Sequence, residues 1–184
     1  MSRASVEVGD RLRLFCALRL PEPFLDTLEA WQTLELPGLR PLPRDRLHIT
    51  LAFLGHRPAD ELPAIAHALR EAAASAEQPL LRVRGYRETR SVGMLVLDDE
   101  DNRATTLALD LHEKLERLGL YRRENRPWLP HVTVVRFRER PRLRPGLVSP
   151  LVEPFTPSEA AVYLSRLRPS GAQYEVLNSV ALGG

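Results

Sequence analysis

Two five-residue segments of this chain, Leu47-His48-Ile49-Thr50-Leu51 and Pro130-His131-Val132-Thr133-Val134, carry the same alternation 83 residues apart. Side chains at i and i+2 of a β-strand project to one face. His48 therefore stands beside Thr50, and His131 beside Thr133, while Ile49, Leu51, Val132 and Val134 turn to the core behind them. A single histidine at a strand entrance is an ordinary half-exposed residue, and threonine is simply a good strand former. Two such tetrapeptides are a different matter. In a chain with five histidines, ordinary residue frequencies make that a roughly one-in-ten-thousand coincidence. The fold must hold two similar strands, each offering an imidazole and a hydroxyl on a face that is not core.

The rest of the pattern is built around these strands. Residues 11–20 alternate, with Leu12, Leu14, Cys16 and Leu18 on one face, and read as a strand ended by Pro21. Helical spacing of Phe24, Leu28 and Trp31 predicts a helix over 22–34. A loop over 37–46 leads into the first motif strand, 47–55. Leu62, Ile65, Ala66, Leu69 and Ala73 mark a helix over 59–77, and strands follow at 80–86 and 93–98. Leu107, Leu111, Leu115 and Leu118 form the stripe of a helix over 103–118, stopped by Gly119. After a polar loop come the second motif strand, an exposed Arg/Pro stretch at 139–150, and strands at 160–166 and 172–178. No linker or short repeat divides this order, which reads as an α+β domain with a mostly antiparallel sheet.

At 184 residues the chain is long enough for a substantial core, and 43% hydrophobic with 27% charged residues is ordinary globular composition. No apolar run reaches the roughly 18 residues of a membrane span, and the first ten residues lack a hydrophobic signal core. The single cysteine, Cys16, excludes an intrachain disulfide and a cysteine-rich zinc site, and reads as a small inert core residue. The expected setting is cytoplasmic, with monomer as the default state. Of 26 basic residues only Lys114 is lysine, which fits an arginine-favouring base composition. The local crowding of arginines from Arg117 to Arg144 is harder to dismiss, because guanidinium forks bind phosphate bidentately.

Several chemistries are excluded. The lone lysine lies in a helix, so there is no phosphate-binding Walker loop, and no Gly-x-Ser-x-Gly elbow occurs. His112-Glu113 begins like a zinc-protease helix, but Glu116 stands where the second ligand belongs. Two histidines alone could hold a metal, yet the partner at i+2 of each is threonine, a poor zinc ligand. His67 and His112 read as surface residues of their helices, and His56 as a solvent-facing loop residue.

Two imidazoles with two hydroxyls suit phosphodiester hydrolysis by a paired general acid and base. A neutral imidazole takes the proton of an attacking water while a protonated one supplies the departing oxygen. A pKa near 6.5 makes both forms accessible. Threonine hydroxyls and an arginine would hold the non-bridging oxygens where charge accumulates. In-line displacement then asks the two histidines to face each other across a cleft.

With these residues in hand, the sequence resembles the two-histidine (2H) phosphoesterases, and within them the LigT-like RNA 2′,3′-cyclic phosphodiesterases, also described as 2′-5′ RNA ligases. The resemblance runs over nearly the whole chain. It rests on Arg13-Leu14-Phe15-Cys16-Ala17-Leu18, on HITLAFLG from His48 to Gly55, on PHVTVVR from Pro130 to Arg136, and on SRLRPSGAQYEVL from Ser165 to Leu177. It implies a single bilobal α+β domain over 1–184, one motif per lobe, with two sheets related by a pseudo-twofold around a central groove and helices outside. It implies metal-independent opening of RNA or nucleotide 2′,3′-cyclic phosphate ends to 2′-phosphates, an associated reversible 2′-5′ ligation, no cofactor, and no obligate protein or membrane partner. By transfer, His48 is the proton donor and His131 the acceptor. Thr50, Thr133 and Arg136 bind phosphate; Tyr174 and Ser165 are further matches that packing explains equally well, and Phe15, which could stack on a base, reads rather as core.

Arg136 carries a geometric tension. Five residues past His131, a regular strand would aim it away from that histidine, so it needs a bulge after Val134, a reach around the strand end, or a surface role. Two competing functions stand beside the RNA reading: a 2H hydrolase of a small cyclic phosphate, and a nucleotide- or RNA-binding module without turnover. A pure binder needs phosphate ligands but not two titrating imidazoles. An enzyme of small molecules would lack the steep salt dependence of RNA binding.

Overall fold

Residues 10–183 are described by the computed structural model of the chain; the segment 1–9, read above as lacking a signal core, lies outside the described residues. The first strand, β1 (Arg11–Arg19), is buried on both faces. Leu12, Leu14, Cys16 and Leu18 enter the main core, whereas Phe15 and Ala17 turn the other way into a smaller cluster. A strand that is apolar on both sides, rather than on alternate residues only, suits a central position. It pairs with β2 (His48–Pro58) on one side and β6 (Glu159–Arg168) on the other, and β6 pairs with β7 (Gly171–Ala181). This gives a four-stranded sheet in the order β2-β1-β6-β7. A second sheet has three strands, β3 (Leu81–Glu88), β4 (Val92–Asp99) and β5 (His131–Arg136), in chain order. Every pairing is antiparallel. The α+β class with antiparallel pairing is as the pattern indicated, and the division into two sheets is as the resemblance implied.

Three helices pack on these sheets. α1 (Glu22–Glu35) turns Phe24, Leu28 and Trp31 inward and lies on the three-stranded sheet, where Trp31 meets Tyr86. α2 (Leu62–Ala74) begins after a short 3₁₀ turn over Ala59–Glu61 and is shorter than the periodicity suggested. α3 (Arg103–Arg117) packs on α2 and on β2. Its first turn is capped by Asp99, whose carboxylate accepts from the N–H groups of Ala104 and Thr105. Gly119, at φ +69°, ends it as expected. Leu118 does not belong to the buried stripe: it lies past the last helical turn and is 52% exposed. Among the described residues, no helix is long and apolar enough to cross a membrane.

Cys16 is fully buried, and burial pushes its thiol up to about 12, which suits an inert core residue. One reading of the helices is corrected. His112 is not a surface residue but is 4% exposed, and its Nε2–H donates to the Leu51 carbonyl at 2.7 Å. The helix places it on the packed face, and the strand carbonyl gives its ring a partner there. His67 and His56 are exposed, as read, but His56 lies within β2, paired with Arg13, and not in a loop, because the strand runs on past Gly55 to Pro58.

Candidate active site

The two motif strands come from different sheets, β2 from the four-stranded and β5 from the three-stranded, and they lie against each other. Alternation works as the sequence required: Ile49, Leu51, Val132 and Val134 are buried, while His48, Thr50, His131 and Thr133 line one groove of about 290 Å³.

The two histidines are held in the same way. Each Nδ1–H donates to the carbonyl two residues earlier, His48 to Arg46 at 2.9 Å and His131 to Leu129 at 2.8 Å. A carbonyl can only accept, so both rings carry hydrogen on Nδ1 and leave Nε2 for the groove. The Thr50 hydroxyl donates to His48 Nε2 at 3.0 Å.

The surroundings of His48 are aromatic. Phe15 lies 4.9 Å from its ring centroid, Tyr174 meets it edge-on at 5.4 Å, and Tyr163 stands at 6.0 Å. Burial lowers the His48 pKa to about 4, against the opposing bond to the Arg46 carbonyl, and the charges of His131 and Arg136 add to the lowering. His48 is therefore neutral in the unliganded protein at pH 7, with its lone pair on Nε2.

The Arg136 tension resolves as a bulge. Gly93 pairs with Val135 and Met94 with Thr133, so Val134 is the extra residue on β5. Val134 and Val135 are both buried, and the alternation resumes with Arg136 in the groove. The same device occurs in β2. Cys16 pairs with Ala52 and Ala17 with Thr50, which leaves Leu51 as the extra residue, and Leu51 and Ala52 are both buried. The residue that re-emerges in the groove is Phe53, 49% exposed. Phe53 is thus the counterpart of Arg136, each five residues past its histidine.

Several groove residues were missed from sequence. The Arg13 guanidinium sits 4.7 Å from the Phe53 ring centroid and donates to the Ser165 hydroxyl at 2.7 Å. Ser165 thereby reaches the groove through Arg13, while Tyr174 and Phe15 line it directly. Phe15 is buried, but in the floor of the groove and not in the main core. Arg46 also lines the groove, and its Nε is buried without a hydrogen-bond partner among the described residues. The five-residue offset could have found Phe53; nothing local in the sequence marks Arg13 or Arg46. Among the described residues, no three His, Cys, Asp or Glu side chains cluster as metal ligands.

Two strands from two sheets, presenting matched imidazole–hydroxyl pairs to one groove, define a two-histidine phosphoesterase of the LigT-like kind. The family model of the 2′-5′ RNA ligase superfamily matches residues 20–171, and the chain belongs to that superfamily. It is 35% identical to an RNA 2′,3′-cyclic phosphodiesterase of Thermus thermophilus, over 94% of this chain and 91% of that protein. An RNA 2′,3′-cyclic phosphodiesterase of Escherichia coli is 32% identical over 67% of this chain and 71% of its own length. Among solved structures, a Thermus thermophilus protein superposes with a TM-score of 0.80 at 31% identity, covering 94% of this chain and 99% of that one. Escherichia coli LigT complexed with 3′-AMP has the same fold, with a TM-score of 0.80 at 23% identity over 94% of this chain and 99% of its own.

Proposed function

We propose that this protein hydrolyses 2′,3′-cyclic phosphate ends of RNA or nucleotides to 2′-phosphates, with His48 and His131 as the acid–base pair. The observation that carries the reading is the convergence of the two His-x-Thr strands on one groove. In the reaction, one imidazole Nε2 takes a proton from water as its oxygen bonds to phosphorus. The P–O3′ bond breaks, the other imidazole protonates the departing 3′-oxygen, and the phosphate stays on O2′. Thr50, Thr133 and Arg136 hold the non-bridging oxygens, with Arg46 as a further donor, stabilising the charge that builds there. A 5′-hydroxyl in place of water gives the related 2′-5′ ligation. The relatives' names and the family support this substrate class.

The resemblance makes His48 the donor, which asks the bound phosphate anion to raise its pKa. One observation favours the reverse assignment: burial keeps His48 neutral, ready to accept a proton. The two assignments separate with an aryl phosphodiester whose leaving group needs no proton, because it rescues only the variant that lacks the acid.

The test is turnover of an oligoribonucleotide ending in 2′,3′-cyclic phosphate, with excess chelator. Wild type should yield a 2′-phosphate, and His48→Ala and His131→Ala should each lose about 10²–10⁴-fold in kcat. Binding without turnover would make the chain a nucleotide-binding module, and loss of activity with chelator would assign the histidines to a metal.

A further inference from the structure

A second cleft, of about 530 Å³, opens between the free edge of β3 and the loop at 140–144, and Arg87, Arg140, Arg142 and Arg144 all line it. One carboxylate accompanies them. Glu88, whose side chain is 2% exposed, accepts from Arg140 Nε at 3.1 Å and from the backbone N–H groups of Arg142 and Leu143 at 2.9 and 2.8 Å. Its oxygens are thus spent on fixing the loop and on the Tyr86 hydroxyl, which donates to Oε1 at 3.2 Å. Arg142 is held there at φ +58°, a left-handed conformation that a non-glycine residue adopts only when its surroundings impose it. Further along, the loop is tied to α1, since Trp31 donates to the Gly146 carbonyl and the Gly146 N–H donates to Glu35. Arg87, Arg142 and Arg144 have no ion-pair partner among the described residues. By contrast, Arg117, Arg123 and Arg126 of the same arginine-rich stretch pair with Glu113, Glu116 and Glu124. Within the stretch, Arg117, Arg123 and Arg126 are thus paired near α3, Arg136 lines the active-site groove, and Arg142 and Arg144 stand with Arg87 in a cationic cleft beside β3.

Register connects one wall of this cleft, Arg87, to the groove. Glu88 and the loop it holds lie around the edge of β3 on the side of α1, so a strand reaching Arg142 and Arg144 rounds that edge. Thr133 pairs with Met94 and Met94 with Arg87, and residues directly opposed in an antiparallel sheet share a face. Arg87 thus stands on the face that carries His131 and Thr133, two strand spacings from β5, on the order of 10 Å. An oligonucleotide only a few residues long spans that gap. We infer that the cleft holds backbone phosphates of the RNA strand upstream of its cyclic end. Guanidinium forks suit phosphodiester oxygens, and an extended polyanion uses a chain of separate cationic sites where a mononucleotide cannot.

This rests on the RNA reading above, and the test keeps the two apart. The double variant Arg142→Gln/Arg144→Gln leaves Arg140 on Glu88 and the groove untouched; Arg144→Gln alone serves if the pair fails to fold. Wild type and variant are compared on an RNA of about ten nucleotides with a 2′,3′-cyclic phosphate end, and on the matching cyclic mononucleotide. For the oligonucleotide, KM should rise roughly tenfold. Its dependence on log salt should flatten by about 0.7 per lost contact. The mononucleotide should be turned over as before. An unchanged oligonucleotide KM, or an equal rise for both substrates, would overturn the inference. If wild type turns over neither substrate, the proposed function fails and the cleft is tested by anisotropy with a 3′-phosphorylated RNA of the same length. Weaker binding by the variant supports the cleft, and equal binding overturns it.

Discussion

At the scale of the residue, the two histidines of a near-symmetric pair are not chemically equivalent. Both fix Nδ1–H on a backbone carbonyl, but only His48 has the aromatic floor of Phe15, Tyr163 and Tyr174. An apolar floor withholds the solvation that an imidazolium needs, so burial lowers the His48 pKa to about 4. A histidine titrating near 6.5 when unfolded and near 4 when folded takes up its proton first in the unfolded chain. Its neutral form stabilises the fold fully above pH 6.5, and that contribution disappears as pH falls to about 4. Its size is on the order of 3 kcal/mol, from the shift itself. Histidine ring resonances followed from pH 8 to 3.5 should show His48 titrating near 4. Denaturant unfolding at pH 7 and pH 4.5 should show a loss of stability that His48→Gln reduces, the remainder coming from groups such as His112 that burial also holds low. A His48 resonance titrating near 6.5 would remove the electrostatic case for its acting as base. The sequence carried the histidines and their faces, but not this asymmetry. It arises from Tyr163 and Tyr174, more than 100 residues away along the chain.

At the scale of the element, each motif strand is more than an alternation. The bulges at Leu51 and Val134 return Phe53 and Arg136 to the groove, and buried polar side chains meet both bulges from behind. His112 Nε2–H donates to the Leu51 carbonyl, and Gln32 Nε2 donates to the Val134 carbonyl at 2.9 Å. Both are 4% exposed, which is rare for such side chains unless they are hydrogen-bonded. They act as positioning residues for the strand ends. His112→Leu should cost about 1–3 kcal/mol in stability by leaving a buried carbonyl short of a donor. It should also raise KM several-fold at little change in kcat, because Phe53 lies two residues on. His112→Gln, which restores a donor, should recover KM. A variant that only loses stability and keeps its KM would reduce His112 to a packing role. The strands and helices themselves were legible because their hydrophobic periods are clean. The bulges were legible only as an oddity, the five-residue offset of Arg136, since an extra residue in a strand leaves no compositional mark. His112 was misread because a helix wheel shows which side a residue occupies but not that a strand carbonyl waits there.

At the scale of the whole molecule, the chain builds part of one sheet with β1 and β2, makes the second sheet with β3 to β5, and returns to finish the first with β6 and β7. Leu14 pairs with Leu164 and Ala17 with Ala161. Such pairings between distant segments are invisible to periodicity, which is why sequence yielded the elements and the resemblance supplied their arrangement. One consequence concerns stability. The buried cluster runs without a break from Leu14 and Leu18 of the first sheet to Leu95, Leu97 and Val132 of the second. Neither sheet has a core it could keep alone, so the two should melt together. The tryptophans report on different parts of this arrangement: Trp31 lies on α1 beside the second sheet, and Trp128 donates to the Thr50 carbonyl of the first at 3.0 Å. Denaturant unfolding followed by fluorescence of Trp31→Phe and Trp128→Phe, and by far-ultraviolet circular dichroism, should give coincident transitions within each protein. A 2′-phosphorylated nucleotide bound in the shared groove should move both probes upward together, by mass action on the native state. Two separated transitions, or a ligand shift felt by one tryptophan alone, would mean that the lobes fold independently and that the groove is assembled from units stable apart.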